Sequence, residues 1–415
     1  MTQALPAYQT RSRRVWYVYT AAWSFVGALS WTTAAVFFVR DVGMSPLQLV
    51  LTGTALEVAY FVSEIPTGVV ADLYSRRLSL VVSAAVTGVA MVLTGLAHAP
   101  WLVVAAAALW GFGWTFRTGA EDAWLADEVG LDALPGIYQR SAQVGRVAGL
   151  AGIAAAVGLA AVSLRLPLLV SGALAVALAG YLVARMREHT FVRPEREPAT
   201  GAFGAAMATA AGGWRAVQAA PVLGMVLLVA VFLGAWSEGF DRLWEAHLLL
   251  DLQLSGTLGM SEVTWFGVLG AGTLTLSFLV AAPMLRRVSA FSLAGTARWL
   301  LVLYLALGVT ALGFALAGSV LLAVAAYWGA AVVRGLAEPA FHTWANSSIA
   351  DSRYRATVLS IMGVAGSFGE WTGGPVLGAA GTRWTVRVAL AAGTSLLAPV
   401  VLLLARAVRH HGRVA

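Results

Sequence analysis

Apolar residues in this chain come in long runs, and short polar clusters separate one run from the next. Runs of about 17–25 mainly apolar residues are long enough to cross a bilayer as helices. Twelve are predicted. Spans 1 to 6 cover Val15–Val39, Leu47–Ala71, Leu78–Ala97, Trp101–Leu125, Ile137–Val162 and Leu166–Ala184. Spans 7 to 12 cover Pro221–Leu250, Val263–Leu285, Trp299–Ala317, Val320–Trp344, Ala356–Ala380 and Val386–Ala405. Span 5 is interrupted by Gln139, Arg140, Gln143 and Arg146. Span 1 is too long for a cleavable signal peptide and lacks a small-residue cleavage site. The longest connection, Arg185–Ala220, begins rich in Arg, Glu and Pro and becomes Ala/Gly-rich around Trp214 and Arg215. It is expected to be a linker with a short helix lying on the membrane surface. The chain then divides into a six-helix bundle over 1–184, a linker over 185–220 and a second six-helix bundle over 221–415.

Composition agrees. The 415 residues are 59% hydrophobic and 11% charged, against about 25% charged in soluble domains. Too few charges exist to coat soluble domains, and the hydrophobicity excludes disorder. With no Cys, disulfides, Cys-ligated zinc, iron–sulfur clusters and thiol nucleophiles are excluded. All 27 basic residues are Arg, and the net charge is +7. They are scattered between apolar runs rather than gathered on one face, so nucleic acid is not the expected partner; the lipid bilayer is. Nineteen Arg fall at the N-terminus, in loops 2–3, 4–5, 8–9 and 10–11, in the linker and in the tail. Only Arg40, Arg165, Arg383 and Arg387 fall on the opposite side. This bias predicts a multi-pass protein of the cell membrane with both termini cytoplasmic, which an even number of spans also requires.

The two halves share ordered features. Span 4 contains Arg117-Thr-Gly-Ala-Glu121-Asp-Ala123 and span 10 contains Arg334-Gly-Leu-Ala-Glu338-Pro-Ala340, both R-x-x-A-E-x-A. Gly145-Arg146-x-x-Gly149 in span 5 matches Gly369-Glu370-x-x-Gly373 in span 11, and Arg76-Arg77 after span 2 matches Arg286-Arg287 after span 8. Duplicated halves are a recurring transporter design, with the substrate site between repeats near the midplane. The expected fold is therefore an all-α membrane protein of twelve transmembrane helices in two pseudo-symmetric bundles.

The segment Glu64-Ile-Pro66-Thr-Gly68-Val-Val-Ala-Asp72-Leu-Tyr-Ser-Arg76-Arg77 resembles the G-x-x-x-D-x-x-x-R-[RK] signature of the major facilitator superfamily, in the form frequent among drug-exporter-like members. Span 4 (Gly119 to Asp127) and span 7 (Ser237 to Trp244) resemble the same branch. Leu73 and Ser75 depart from the signature, and span 5 carries only half of the family's antiporter motif, as Gly145, Gly149 and Gly152 without its Pro. The resemblance implies the major facilitator fold and alternating access, with Gly68, Asp72, Arg76 and Arg77 as a cytoplasmic latch.

Ionisable groups within spans are costly and mark functional or paired positions. Arg117, Arg146, Arg242 and Arg334 face nine acids: Glu57, Glu64, Glu121, Asp122, Glu238, Asp241, Glu245, Glu338 and Glu370. The excess of five carboxyls favours a proton path or a cationic or neutral substrate over an anionic one. Arg117/Glu121, Arg334/Glu338 and Glu238/Arg242 stand at i,i+4, the spacing of helical ion pairs. Glu57 lies about 15 Å along its helix, near mid-bilayer. Glu57, Asp241, Glu238 and Glu370 are the candidates for proton or cation coupling. Arg117, Glu121, Asp122, Arg146, Arg242, Arg334 and Glu338 are candidates for a cavity charge network, and Trp31, Trp114 and Trp371 for cavity aromatics. Each has a plainer role available as a structural ion pair or packing residue. His98, His247 and His342 are expected to make ordinary polar contacts.

No H-E-x-x-H helix, G-x-S-x-G elbow or G-x-x-x-x-G-K-[ST] loop is present, so no catalytic residue, metal, cofactor or ATP-driven step is expected. The expected function is secondary active transport: proton-coupled efflux of hydrophobic or cationic small molecules, of drug or antibiotic type, by a monomer. The alternative is a proton-coupled importer or uncoupled facilitator of a small metabolite. A membrane-embedded enzyme or sensor is the different class.

Overall fold

The computed structural model describes residues 7–191, 214–215, 217–218, 220–281, 284, 292–349 and 355–414. It is helical, with no strand among these residues. Of the stretch where a surface helix is expected, only residues 214–215 and 217–218 are described, and they are helical; the Pro-rich start of the linker, Arg286-Arg287 and Arg353 lie outside the described residues. Spans 2, 3, 5 and 6 appear as Pro46–Leu73, Arg76–Leu96, Leu134–Ala160 and Leu166–Arg185. Spans 9, 10 and 11 appear as Leu293–Leu316, Val320–Ser347 and Arg355–Arg383. Polar caps start several of them: Ser75 accepts from the Leu78 N–H, Ser292 from Gly295, Ser319 from Leu322 and Thr385 from Val388. Each satisfies a donor left open in the first helical turn.

Span 4 differs from the continuous helix expected. It breaks into Pro100–Thr115 and Ala120–Val129, and Gly119 turns the chain with φ of 75°. Only glycine adopts that backbone freely. Ten helices among the described residues are long and apolar enough to cross a membrane; this break and the Gly- and Thr-rich composition of span 11 account for the other two spans.

The chain forms two compact units. One comprises residues 1–44, 55–195 and 260–271; the other comprises 45–54, 196–259 and 272–415. In the first, span 1 packs along span 5 and span 3 along span 6. Trp16, Tyr19, Trp23, Leu80, Trp124 and Leu182 build its core. In the second, span 7 packs along span 11 and span 9 along spans 10 and 12. Glycines set the closest approaches. A Cβ on Gly152 in span 5 would sit 2.6 Å from the Phe25 carbonyl oxygen, and one on Gly369 in span 11 would overlap the Val231 carbonyl of span 7. Small residues let backbones meet in this way, and the same pair of rods uses them in each unit.

A polar clasp is also repeated. Span 1 ends in a π-helical turn, Phe37–Asp41, and span 7 in another, His247–Asp251. Asp41 pairs with Arg165 (2.9 Å), which also donates to the Gly95 carbonyl and meets His98. Asp251 accepts the Arg387 backbone N–H (2.6 Å) and the ring of the buried His247 (2.8 Å), while the Arg387 guanidinium donates to the Ala317 carbonyl. In both units an Asp at the end of the first rod joins an Arg at the start of the sixth to the end of the third. His98 and His247 thus make the polar contacts expected.

Candidate functional site

Within the second unit, spans 7, 9, 10 and 11 line a half-open cavity of about 310 Å³. Leu233, Leu307, Phe341 and Met362 supply apolar wall, and Arg334, Glu338, Glu370 and His342 supply polar wall. A second compartment of about 250 Å³ adjoins it, lined by Trp236, Phe240, Asp241, Trp244 and Tyr327. Trp236, Arg334 and Glu338 line both and form their common wall.

Arg334 turns away from the i,i+4 pairing expected with Glu338. Both its terminal nitrogens bind Asp241, Nη2 to Oδ2 at 2.7 Å and Nη1 to Oδ1. A carboxylate offered side-on from another rod accepts two parallel bonds, which a residue one turn along the same helix seldom can. The guanidinium also lies 5.5 Å from the Trp236 ring centre. Glu338 remains within the electrostatic reach of Arg334 and Tyr304 without a direct ion pair.

On the same stretch of span 7, Arg242 holds Glu238 at 3.2 Å as its spacing predicts, and Glu238 is 6% exposed. Glu245 stands in the field of Arg242 and Asp241. Gly53, which belongs to this unit, lies directly against the pair; a Cβ there would overlap the Glu238 carboxylate and the Arg242 guanidinium.

In the first unit the expected Arg117–Glu121 pair forms at 2.6 Å. Tyr19 donates to the same Glu121 oxygen. Arg117 sits in an aromatic box, 4.5 Å from the Trp114 ring centre, 5.1 Å from Trp23 and 5.8 Å from Tyr19. Trp114 stacks on Trp110 at 4.8 Å, and Trp110 meets the edge of Trp31 at 5.7 Å. Trp31 is 40% exposed, so the aromatic column runs from a buried charge to the surface of the unit. Asp122 is exposed and accepts from Tyr138. Arg146 is exposed on span 5, while Glu57 is half-buried in span 2 within the field of Tyr60. Glu370 and Trp371 are half-buried on span 11, Glu370 lining the larger cavity.

The loop 2–3 motif is tied to its own unit. Arg76 binds Asp127 and the Ala123 carbonyl of span 4. Arg77 donates to the Val183 carbonyl of span 6 and, through its backbone N–H, to Glu188; Ser75 donates to Glu188 as well. Gly68 faces open space and Asp72 is exposed.

Sequence reasoning missed Tyr19, Trp23 and Trp110 around Arg117, and Trp236, Tyr304 and Tyr327 around Arg334. The one signal available was internal: spans 1 and 7 each carry a Trp, Trp23 and Trp236, ahead of the two R-x-x-A-E motifs. It also missed Glu128, 1% exposed, which accepts from Ser12, the His189 backbone N–H and the His189 ring.

The family model of the Major Facilitator Superfamily matches residues 18–373. No curated protein sequence matches the chain. Among solved structures, a bacterial homologue of the human lysosomal transporter Spinster, inward-facing and unoccupied, has TM-score 0.72 at 15% identity over 98% of each chain. The nucleoside transporter NupG has TM-score 0.72 at 11% identity, over 97% of this chain and 99% of its own. The peptide transporter POT bound to sulfate has TM-score 0.71 at 13% identity, over 95% of this chain and 94% of its own. At these identities the likeness is one of fold.

Proposed function

As the chain belongs to the Major Facilitator Superfamily and is a multi-pass membrane transporter of that type, we propose that it exports hydrophobic or cationic small molecules in exchange for protons, by alternating access. The observation that carries this reading is the cavity in the second unit. Its apolar wall suits a lipophilic substrate, and the Arg334 charge is engaged by Asp241 while Glu338 lines the same space. An anion would meet a carboxylate there; a cation or a proton would be neutralised. Glu57, Glu238, Asp241 and Glu370 are the coupling carboxyls of this reading. Arg117, Glu121, Asp122, Arg146 and Arg242 hold the rods around the path, and Trp31, Trp114 and Trp371 supply aromatic wall. In this reading the 1–184 and 221–415 bundles rock against each other.

The protein works as a monomer in the cell membrane with both termini cytoplasmic, as the Arg bias supports. On that orientation Gly68, Asp72, Arg76 and Arg77 form a cytoplasmic latch, and the ties of Arg76 to Asp127 and of Arg77 to Val183 and Glu188 anchor its basic end.

Reconstituted vesicles carrying an imposed pH gradient test the proposal, with lipophilic amines as substrates. Expected are gradient-driven amine movement against proton flow and its loss on collapsing the gradient. Transport indifferent to the gradient would assign an uncoupled facilitator instead, and amine movement in the same direction as protons an importer. Unimpaired exchange in Glu57→Gln would remove that residue from the coupling path.

A further inference from the structure

The adjoining compartment has a composition of its own. Two stacked ring pairs line it: Trp236 on Phe240 with centres 5.1 Å apart, and Trp244 on Tyr327 at 4.2 Å. Its charged lining is Asp241, Glu338 and Arg334, two carboxylates against one guanidinium. Aromatic rings combined with a carboxylate are the surroundings that an organic ammonium selects, through the negative ring faces and one counter-charge. At about 250 Å³ the compartment is small for a whole drug-sized ligand, and its neighbour of about 310 Å³ is walled by Leu233, Leu307, Phe341 and Met362. Drug-sized pockets run to about 300–1,000 Å³, so the two together fit one molecule with a charged head and an apolar tail.

We propose that the Trp236–Phe240–Trp244–Tyr327 compartment holds the ammonium head of a lipophilic cation, which takes Asp241 from Arg334 while the tail lies in the adjoining cavity. The exchange conserves charge. Arg334, released from Asp241, has Glu338 one turn along its own helix, at the spacing that forms helical ion pairs. Before binding, Arg334 is engaged by Asp241 and makes no direct pair with Glu338; afterwards each carboxylate has its own cation. The side chains concerned are accessible, Arg334 being 35% and Asp241 41% exposed. Arg334 already lies over Trp236, so the compartment accommodates a cation against that ring.

This inference rests on the proposed substrate class but needs neither a gradient nor a transport direction, so binding tests it separately. Full-length protein in lipid nanodiscs would be equilibrated with radiolabelled hexyltrimethylammonium, using hexylsulfonate as the probe of opposite charge. Expected is saturable binding of the ammonium and none of the sulfonate. Asp241→Asn should weaken binding about tenfold or more. Tyr327→Leu should weaken it about fivefold, and Tyr327→Phe should leave it within about twofold. Glu338→Gln should weaken binding by leaving Arg334 on Asp241, and Asp241→Glu should restore part of the Asp241→Asn loss. Size-exclusion profiles identify any variant that fails to fold; should Asp241→Asn fail, the Tyr327 pair decides. Equal affinities for the Leu and Phe variants at 327, full affinity in Asp241→Asn, or comparable binding of the sulfonate would each overturn the assignment. Gradient-driven transport of other substrates together with any of these results would overturn this inference alone.

Discussion

Arg117 lays its guanidinium 4.5 Å from the centre of the Trp114 ring, one turn back along span 4. The neighbouring Trp23 ring and the Glu121 carboxylate complete the surround. A guanidinium held this way is neutralised at one edge and covered by rings elsewhere, which lowers the cost of keeping it in a low-dielectric region. Trp114→Leu should destabilise the protein by about 1–2 kcal/mol, the usual scale for a desolvated cation–π contact. Trp114→Phe should lose less than half of that. Thermal unfolding of the purified variants in one detergent checks the order.

The second unit uses a different partner for the corresponding Arg. A double-mutant cycle on Arg334 and Asp241 should give a coupling of about 1 kcal/mol, since both side chains are more than one-third exposed and solvent screening reduces the pair. The same cycle on Arg334 and Glu338 should give less than about 0.5 kcal/mol in the absence of ligand. Comparable couplings would mean that the guanidinium divides its time between the two acids.

These two arginines show which parts of the arrangement the sequence displayed. Twelve apolar runs and their order were plain, because each span is a local property of its own residues. Glu238–Arg242 was plain for the same reason: i,i+4 geometry is fixed by one helix. Arg117–Glu121 forms at the expected spacing although the pair straddles the Gly119 break. Arg334–Asp241 joins residues 93 positions apart, and no spacing rule predicts it. The Trp23 contact with Arg117 and the ties from Arg76 to Asp127 are likewise set by helix packing. The break in span 4 had a local cause in Gly119, but a glycine within an apolar run does not by itself announce a positive φ.

The repeated clasp makes an asymmetric prediction. Arg165 reaches Asp41 through its side chain, whereas Arg387 gives Asp251 its backbone N–H. Arg165→Met should therefore cost more than Arg387→Met, about 1 kcal/mol against a few tenths. The acids should rank the other way. Asp251→Ala strips the partner from the fully buried His247 and from a backbone donor, costing about 2–3 kcal/mol; Asp41→Ala should cost about 1. Unfolding midpoints of the four variants test the ranking.

Gly53 offers the sharpest test of the Glu238–Arg242 pair. A glycine in the interior of a helix is usually replaced by alanine with a gain of about 1 kcal/mol, because the unfolded chain loses freedom. Here a Cβ would fall on the Glu238 carboxylate and the Arg242 guanidinium, so the sign should reverse. Displacing the pair would leave a buried carboxylate poorly compensated, and Gly53→Ala should cost about 2–4 kcal/mol. The cause can be separated from a general intolerance of span 2 to substitution. In a Glu238→Ala background the carboxylate is gone and the Arg242 side chain, no longer held by it, can swing aside, so adding Gly53→Ala should then cost less than about 1 kcal/mol. Such non-additivity is the signature of two residues sharing one volume. Additive losses, measured by unfolding of the single and double variants, would show that the Gly53 backbone, and not the ion pair beside it, is what the position protects.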